Sequence, residues 1–288
     1  MPIKNINNIQ YVDLYEIFSE ENESEKKYGL RLLEKAYETL YLKTFPVPSE
    51  QESFDDWRDN LENPKKNSDV QSFSLFGFDL DKKNPRIIGL IVTSFYKGCA
   101  TGLVDYIIRE KDYSKELPAK VMLDFQEKIL EKICLRFDKK PLKMILWEVN
   151  DPQKIQWDDE NPDFNVDCMN PQKRINHIQK EFDCRKIGLT YAQAPIQRIG
   201  SQKEADENVC SNLLLFLYKS SCFGMVNVSD LKHFFSCFSK ACNGFYPEQL
   251  NNGHINRMLR QISVMERYDI LVLYENQTPE QRALLDTI

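Results

Sequence analysis

Apolar and polar positions alternate most tellingly between residues 86 and 137. Two apolar runs, 86–96 (RIIGLIVTSFY) and 103–108 (LVDYII), flank Lys97-Gly98-Cys99-Ala100-Thr101-Gly102, whose two glycines mark a hairpin. A polar turn over 109–115 follows. Val121, Phe125, Ile129, Ile133 and Phe137 then recur at four-residue spacing and predict a helix over 117–137. This half therefore reads as strand, strand, loop, helix.

Upstream, residues 8–19 mix apolar and polar side chains as a first edge strand does. From 23 to 44 the apolar positions have helical spacing, and Phe45-Pro46-Val47-Pro48 stops the run. Ser53 is an N-cap with acids behind it at Asp55 and Asp56, which predicts a second, short helix carrying Phe54 and Trp57. After a charged loop over 62–70, alternation at Phe73, Leu75, Phe78 and Leu80 predicts a strand with a bulge at Gly77.

Downstream of the central helix, 143–149 reads as a strand and 150–165 as a long polar loop. Asn170-Pro171 opens a helix to about Phe182. Residues 187–199 and 209–219 read as a long antiparallel pair. The segments 229–245, 252–265 and 277–288 read as helices, with a last strand over 269–274. No Gly/Ser linker or internal repeat divides the chain, which favours one elaborated domain: a core over 1–220 and a helical extension over 221–288 packed on it.

Composition narrows the class. The 288 residues are 42% hydrophobic and 28% charged, ordinary values for a globular protein able to bury a core. No stretch reaches the roughly 18 apolar residues of a membrane helix. Residues 1–7 lack the apolar centre of a secretory signal, so a cytoplasmic protein with no membrane partner is expected. A net charge of −6 argues against nucleic acid as a partner, since a grip on phosphates needs a basic surface, and it tolerates a cationic substrate such as an amine. Eight irregularly spaced cysteines read as free thiols. Cys222, His233, Cys237, Cys242 and His254 hold zinc-type ligands, yet no Cys-x-x-Cys pair exists and Phe234, Phe235 and Phe238 form a core stripe, so no metal is expected.

The strand-strand-loop-helix order, with Lys143-Met144-Ile145-Leu146-Trp147-Glu148-Val149-Asn150-Asp151-Pro152 and Tyr191-Ala192-Gln193-Ala194-Pro195-Ile196 behind it, resembles the GNAT superfamily of acetyl-CoA-dependent N-acetyltransferases. The later stretches look like the fifth strand and the "YvQP" strand of some bacterial members. The resemblance covers about residues 10 to 220. It implies an α/β (α+β) fold with a mixed, mostly antiparallel sheet, a splayed parallel pair formed by 103–108 and 143–149, and flanking helices. It also implies acetyl-CoA as co-substrate and a small-molecule amine, or a protein or peptide amine, as acceptor. Phe45, Phe54 and Trp57 would border the acceptor cleft or form an aromatic clasp between helices.

The resemblance assigns the cofactor to the backbone of Tyr106, Ile107 and Ile108 and to the turn Ser114-Lys115-Glu116-Leu117-Pro118-Ala119, with Lys120 and Asn150 beside them. That turn departs from the family pattern: Ser114 replaces Arg or Gln, Leu117 replaces the first glycine, and Pro118 removes a donor, while Ala119 fits. Asp105, the one carboxylate in its apolar strand, is the candidate general base or else a solvent-facing or ion-paired residue. The tyrosine that serves as general acid in many members is absent near Ile178. His177 or Tyr191 would stand in for it. The sequence leaves three functions open: an N-acetyltransferase, a catalytically degenerate protein of this fold that binds acyl-CoA or a protein partner, or a helix-rich interaction protein acting through its Cys/Phe-rich C-terminal third.

Overall fold

The computed structural model describes residues 3–6, 8–45, 51–64, 69–155, 157–158, 169–193, 201, 203, 207, 209–220, 226–243 and 246–288. They form a mixed α/β fold, mostly antiparallel strands flanked by helices, the class expected from the sequence. The chain divides into two units. The first takes its described residues from Met1–Phe95 and Val104–Arg136, the second from Tyr96–Leu103, Phe137–Asn165 and Met169–Ile288.

In the first unit the strands lie in the order β1 (Lys4–Ile6), β2 (Ile9–Asp13), β3 (Asp69–Phe78), β4 (Arg86–Tyr96) and β5 (Thr101–Arg109). The edge is β1, not 8–19. Residues 9–13 pair with β1 and β3, and Asp13 then caps a short helix α1 (Leu14–Ser19) by accepting from the Glu16 N–H at 3.2 Å. The 23–44 run is not one regular helix. It is α2 (Glu23–Ala36), a π-helical turn (Tyr37–Tyr41) and α3 (Leu42–Thr44). Ser53 caps α4 (Phe54–Glu62) by accepting from Asp56 N–H at 3.1 Å.

The register of β3 with β2 runs regularly up to Gly77, and the glycine is needed because a Cβ would lie 2.1 Å from the Arg86 carbonyl oxygen. Alternation along β3 sends Phe73 and Leu75 to the core under α1, α2 and α4, where Trp57 meets Phe73 at 5.1 Å. Ser72, Ser74 and Phe76 face the long helix α5 (Ala119–Phe137), where Phe125 and Gln126 receive them. The buried stripe of α5 runs through Met122, Leu123, Gln126, Ile129, Leu130, Ile133 and Cys134. Val121, Phe125 and Phe137 sit at its margin instead of its centre. With helices on both faces, β4 is buried at every position after Arg86, as its unbroken apolar run requires.

The second unit is ordered β6 (Met144–Asn150), β8 (Leu213–Ser220) and β7 (Arg185–Lys186), all antiparallel. The long strand expected over 187–199 is reduced to β7, an Ile187 N–H donated to Leu215 O, and a Gln193–Cys210 bridge; 194–200 lie outside the described residues. Residues 269–274 form no strand either. Asp269 takes a left-handed conformation that ends the preceding helix, leaving an Ile187–Leu273 bridge. Helix α6 (Pro171–Phe182), capped by Asn170, packs Phe182 against Trp147 at 5.2 Å. Helices α7 (Val228–Asn243), α8 (Gly253–Tyr268) and α9 (Pro279–Asp286) join a core in which Leu231, Phe234, Phe235 and Phe238 meet Leu146, Leu215 and Leu217. The expected parallel pair draws one strand from each unit, β5 and β6. Among the described residues no helix is long and apolar enough to cross a membrane, and no His, Cys, Asp and Glu gather as a metal site; Cys222 and the Cys242 side chain are outside them.

Candidate functional site

Strand β5 carries the first group of predicted residues. Its first four positions are buried, but Asp105, Tyr106 and Ile107 are all partly exposed. Successive side chains on a strand point to opposite faces, so three exposed in a row mean that β5 opens to solvent on both faces at this stretch. Asp105 accepts from the Ser94 hydroxyl at 2.8 Å, and the Tyr106 phenol donates to Glu52 at 2.7 Å. Burial, followed by the nearby Glu52 charge, holds the Tyr106 phenol well above its usual pKa. Ile108 belongs to the core.

The turn after β5 is held by Arg109. Its guanidinium donates to the carbonyls of Ser114 (2.8 Å) and Leu117 (3.0 Å), and burial lowers its pKa. Leu117, in the place of the expected glycine, points inward: it is 1% exposed and packs so closely on Gly89 that a Cβ there would lie 2.7 Å from its Cδ2. The substitution therefore leaves the outer side of the turn open. The N–H groups of Ser114 and Leu117 are used internally, on Lys111 O and Tyr113 O. Those of Lys115, Glu116 and Ala119 have no acceptor among the described residues, and they stand where the 19-residue helix α5 begins. Unpaired amides at a helix N-terminus suit an anion such as a pyrophosphate. Lys115 is exposed, and Lys120 pairs with Asp124.

The remaining predicted residues lie in the second unit. Tyr191 is 1% exposed, stacks on Phe235 at 5.7 Å, and donates its phenol to Glu148. Glu148 shares the β6 face of Met144 and Leu146, and burial among these apolar groups pushes its carboxyl up to about 7 even though the Tyr191 hydrogen bond pulls it down. His177 is half-buried on α6 with its ring against Phe182 at 5.6 Å. Asn150 ends β6 opposite Leu213. Asp105 and the turn thus share the first unit, whereas Tyr191, His177 and Asn150 share the second.

Sequence reasoning passed over Glu148, Arg109, Ser94 and Glu52. For Glu148 the signal was present: it is the single carboxylate of the apolar strand MILWEVN, as Asp105 is of its own.

No family model matches the chain, and no curated protein matches it. Among solved structures, a protein described as an acetyltransferase of the GNAT family from Bacteroides thetaiotaomicron is similar with 16% identity and a TM-score of 0.41, covering 75% of this chain and 94% of that one. A GNAT-family acetyltransferase from Staphylococcus aureus Mu50 gives 14% identity, a TM-score of 0.35, and coverage of 73% and 99%. The PaiA N-acetyltransferase of Thermoplasma acidophilum, solved in complex with coenzyme A, gives 10% identity, a TM-score of 0.36, and coverage of 66% and 92%. Likeness at TM-scores below 0.5 carries no weight on function, which rests on the chain's own residues.

Proposed function

We propose that the chain transfers an acetyl group from acetyl-CoA to a primary amine. The observation that carries this reading is the opening of α5, where the amides of Lys115, Glu116 and Ala119 are left without acceptors and Leu117 is turned away from them. A CoA pyrophosphate supplies acceptors for those donors, with Lys115 and Lys120 as nearby charges, and the partly exposed stretch Asp105 to Ile107, continuing to the buried Ile108, supplies backbone for the pantetheine arm. Asn150 is proposed as a further cofactor contact.

In the reaction the amine nitrogen attacks the thioester carbonyl carbon, the C–S bond breaks, and the CoA thiolate leaves and takes up a proton. An ammonium has no free electron pair, so a base must first remove its proton. Asp105, oriented by Ser94, is proposed for this role, with Tyr191 or His177 as the proton source for the thiolate. A second reading of the base is favoured by the Glu148 carboxyl at about 7, matched to a proton transfer at neutral pH.

Thermal melts with acetyl-CoA test the binding. At 100 times its dissociation constant a ligand adds about 2.7 kcal/mol, a shift of several degrees. No shift at millimolar acetyl-CoA overturns the proposal, and binding without turnover on any amine leaves the degenerate acyl-CoA binder. Asp105→Asn and Glu148→Gln then separate the bases: loss of the true base lowers kcat about 10²-fold at neutral pH while acetyl-CoA affinity holds.

A further inference from the structure

Glu52 has no part in the steps above, yet it is the hub of the first unit's polar contacts. Its carboxylate accepts from the Tyr106 phenol (2.7 Å), the Trp57 indole N–H (2.7 Å) and the Gln71 amide (3.2 Å), and its backbone N–H donates to the Tyr41 phenol (2.8 Å). Every partner is neutral. Among the described residues no Lys, Arg or His pairs with this half-buried carboxylate, so it is held by neutral donors alone. Two carboxylate oxygens offer about four acceptor positions, and three are filled.

The walls around it are aromatic. Tyr41 meets Tyr37 at 5.2 Å, Phe45 at 5.1 Å and Tyr106 at 5.2 Å; Phe45 meets Tyr106 at 5.2 Å, and Tyr37 meets Phe54 at 5.5 Å. Tyr37, Phe45, Phe54 and Tyr106 all keep part of their surface exposed. Cations lie over other rings of this unit, Arg31 over Tyr28 and Arg86 over Tyr113, but none lies over these among the described residues. The π-helical turn is a second, independent mark. Tyr37 and Tyr41 sit at its two ends, and such turns inside helices gather at functional sites because they cost a regular hydrogen-bond ladder.

We infer that Glu52 and the partly exposed rings of Tyr37, Phe45 and Tyr106, backed by the fully buried Tyr41, form a seat for a primary alkylammonium group, which identifies the acceptor as an aliphatic amine with no carboxylate close to its nitrogen. The ring faces offer a negative quadrupole and Glu52 offers the free acceptor position and the charge, a combination that selects a cation with an apolar stem. An α-amino acid is disfavoured, because its own carboxylate would be brought near Glu52. The inference rests on the acetyltransferase reading for its name of acceptor, but the seat itself is defined without acetyl-CoA.

The test uses the full chain without cofactor and n-butylammonium chloride as probe. Each of the three tryptophans gives one indole N–H resonance, and Trp57→Phe identifies the one bonded to Glu52. n-Butylammonium should shift that resonance saturably, whereas 1-butanol and glycine at the same concentration should not. Glu52→Gln should weaken the effect about tenfold or more, the loss of one ion pair with its ring support. Phe45→Leu, a change at the partly exposed rim, should weaken it a few-fold in a protein that still folds, and it decides the matter if Glu52→Gln fails to fold. An equal response to butanol, no saturable shift up to about 100 mM, or unchanged affinity in a folded variant overturns the seat. Binding of n-butylammonium by a protein that ignores acetyl-CoA would keep the seat and remove the acetyltransferase; the converse would remove the seat alone.

Discussion

Replacing Glu148 with glutamine should make the protein more stable at pH 8 and leave it nearly unchanged at pH 4. The carboxyl rises from its ordinary 4.5 to about 7 because burial disfavours its charged form. The folded state therefore holds its proton more tightly than the unfolded chain does, so stability is highest below about 4.5 and is lost as pH rises through about 7. A displacement of about 2.5 pH units corresponds to about 3 kcal/mol. Glutamine has the shape of the protonated acid and no proton to lose, and it still offers an oxygen to the Tyr191 phenol. Urea unfolding of both proteins at half-unit steps from pH 3.5 to 8.5 gives the difference curve, in which other titrating groups cancel. It should be flat below about pH 4, rise from about pH 4.5 to 7, and level off about 3 kcal/mol in favour of Glu148→Gln. A difference that does not change with pH would refute the reasoning, and so would a resonance of the Glu148 side-chain carboxyl carbon titrating near 4.5.

Two further outcomes concern packing. Gln126 is fully buried and links the hydroxyls of Ser72, Ser74 and Thr93 at 2.7 to 2.8 Å; Gln126→Leu strands all three and should cost about 2 kcal/mol or more, read as a lower urea midpoint. In Gly89→Ala the new methyl would sit 2.7 Å from Leu117 and 3.2 Å from Met122, so a loss of about 1–3 kcal/mol is expected in thermal melts, with acetyl-CoA binding weakened if the turn over 114–119 moves.

Strong periods were legible and short-range exceptions were not. The hairpin strands and the central helix follow from runs of six or more patterned residues, and the caps at Ser53 and Asn170 carry their own chemical signature. The π-helical turn has no such mark, since Tyr37 and Tyr41 fit an ordinary helical stripe as well as a widened one. Residues 187–193 are apolar enough for a strand, yet only the first of them pairs with β8 before the chain turns to the last helices, a choice made by tertiary contacts. For the site, the composition of a strand pointed to Asp105. It pointed equally to Glu148, and only the packing of Tyr191 and Phe235 around that carboxyl tells the two apart. The effect of Leu117 in place of glycine depended on which way its side chain turned.

The unit boundaries have a consequence for synthesis. Because the second unit takes Tyr96–Leu103 from the middle of the first unit's sequence, neither unit is a continuous stretch of chain. The turn over 97–100 needs Gly98 and Ala100 at positive φ, and its amides are held by the Asp138 carboxylate at 2.8 to 3.0 Å, while Lys143 N–H closes on Ala100 O at 2.8 Å. A ribosome releases those partners about forty residues later. Chain emerging from the tunnel up to residue 137 thus carries a hairpin whose tip lacks the Asp138 and Lys143 groups that hold it, so the tip is completed only with the second unit. Arrest of translation at lengths that leave residue 143 just inside and just outside the exit tunnel, followed by brief proteolysis of the nascent chain, would show the tip become protected in one step.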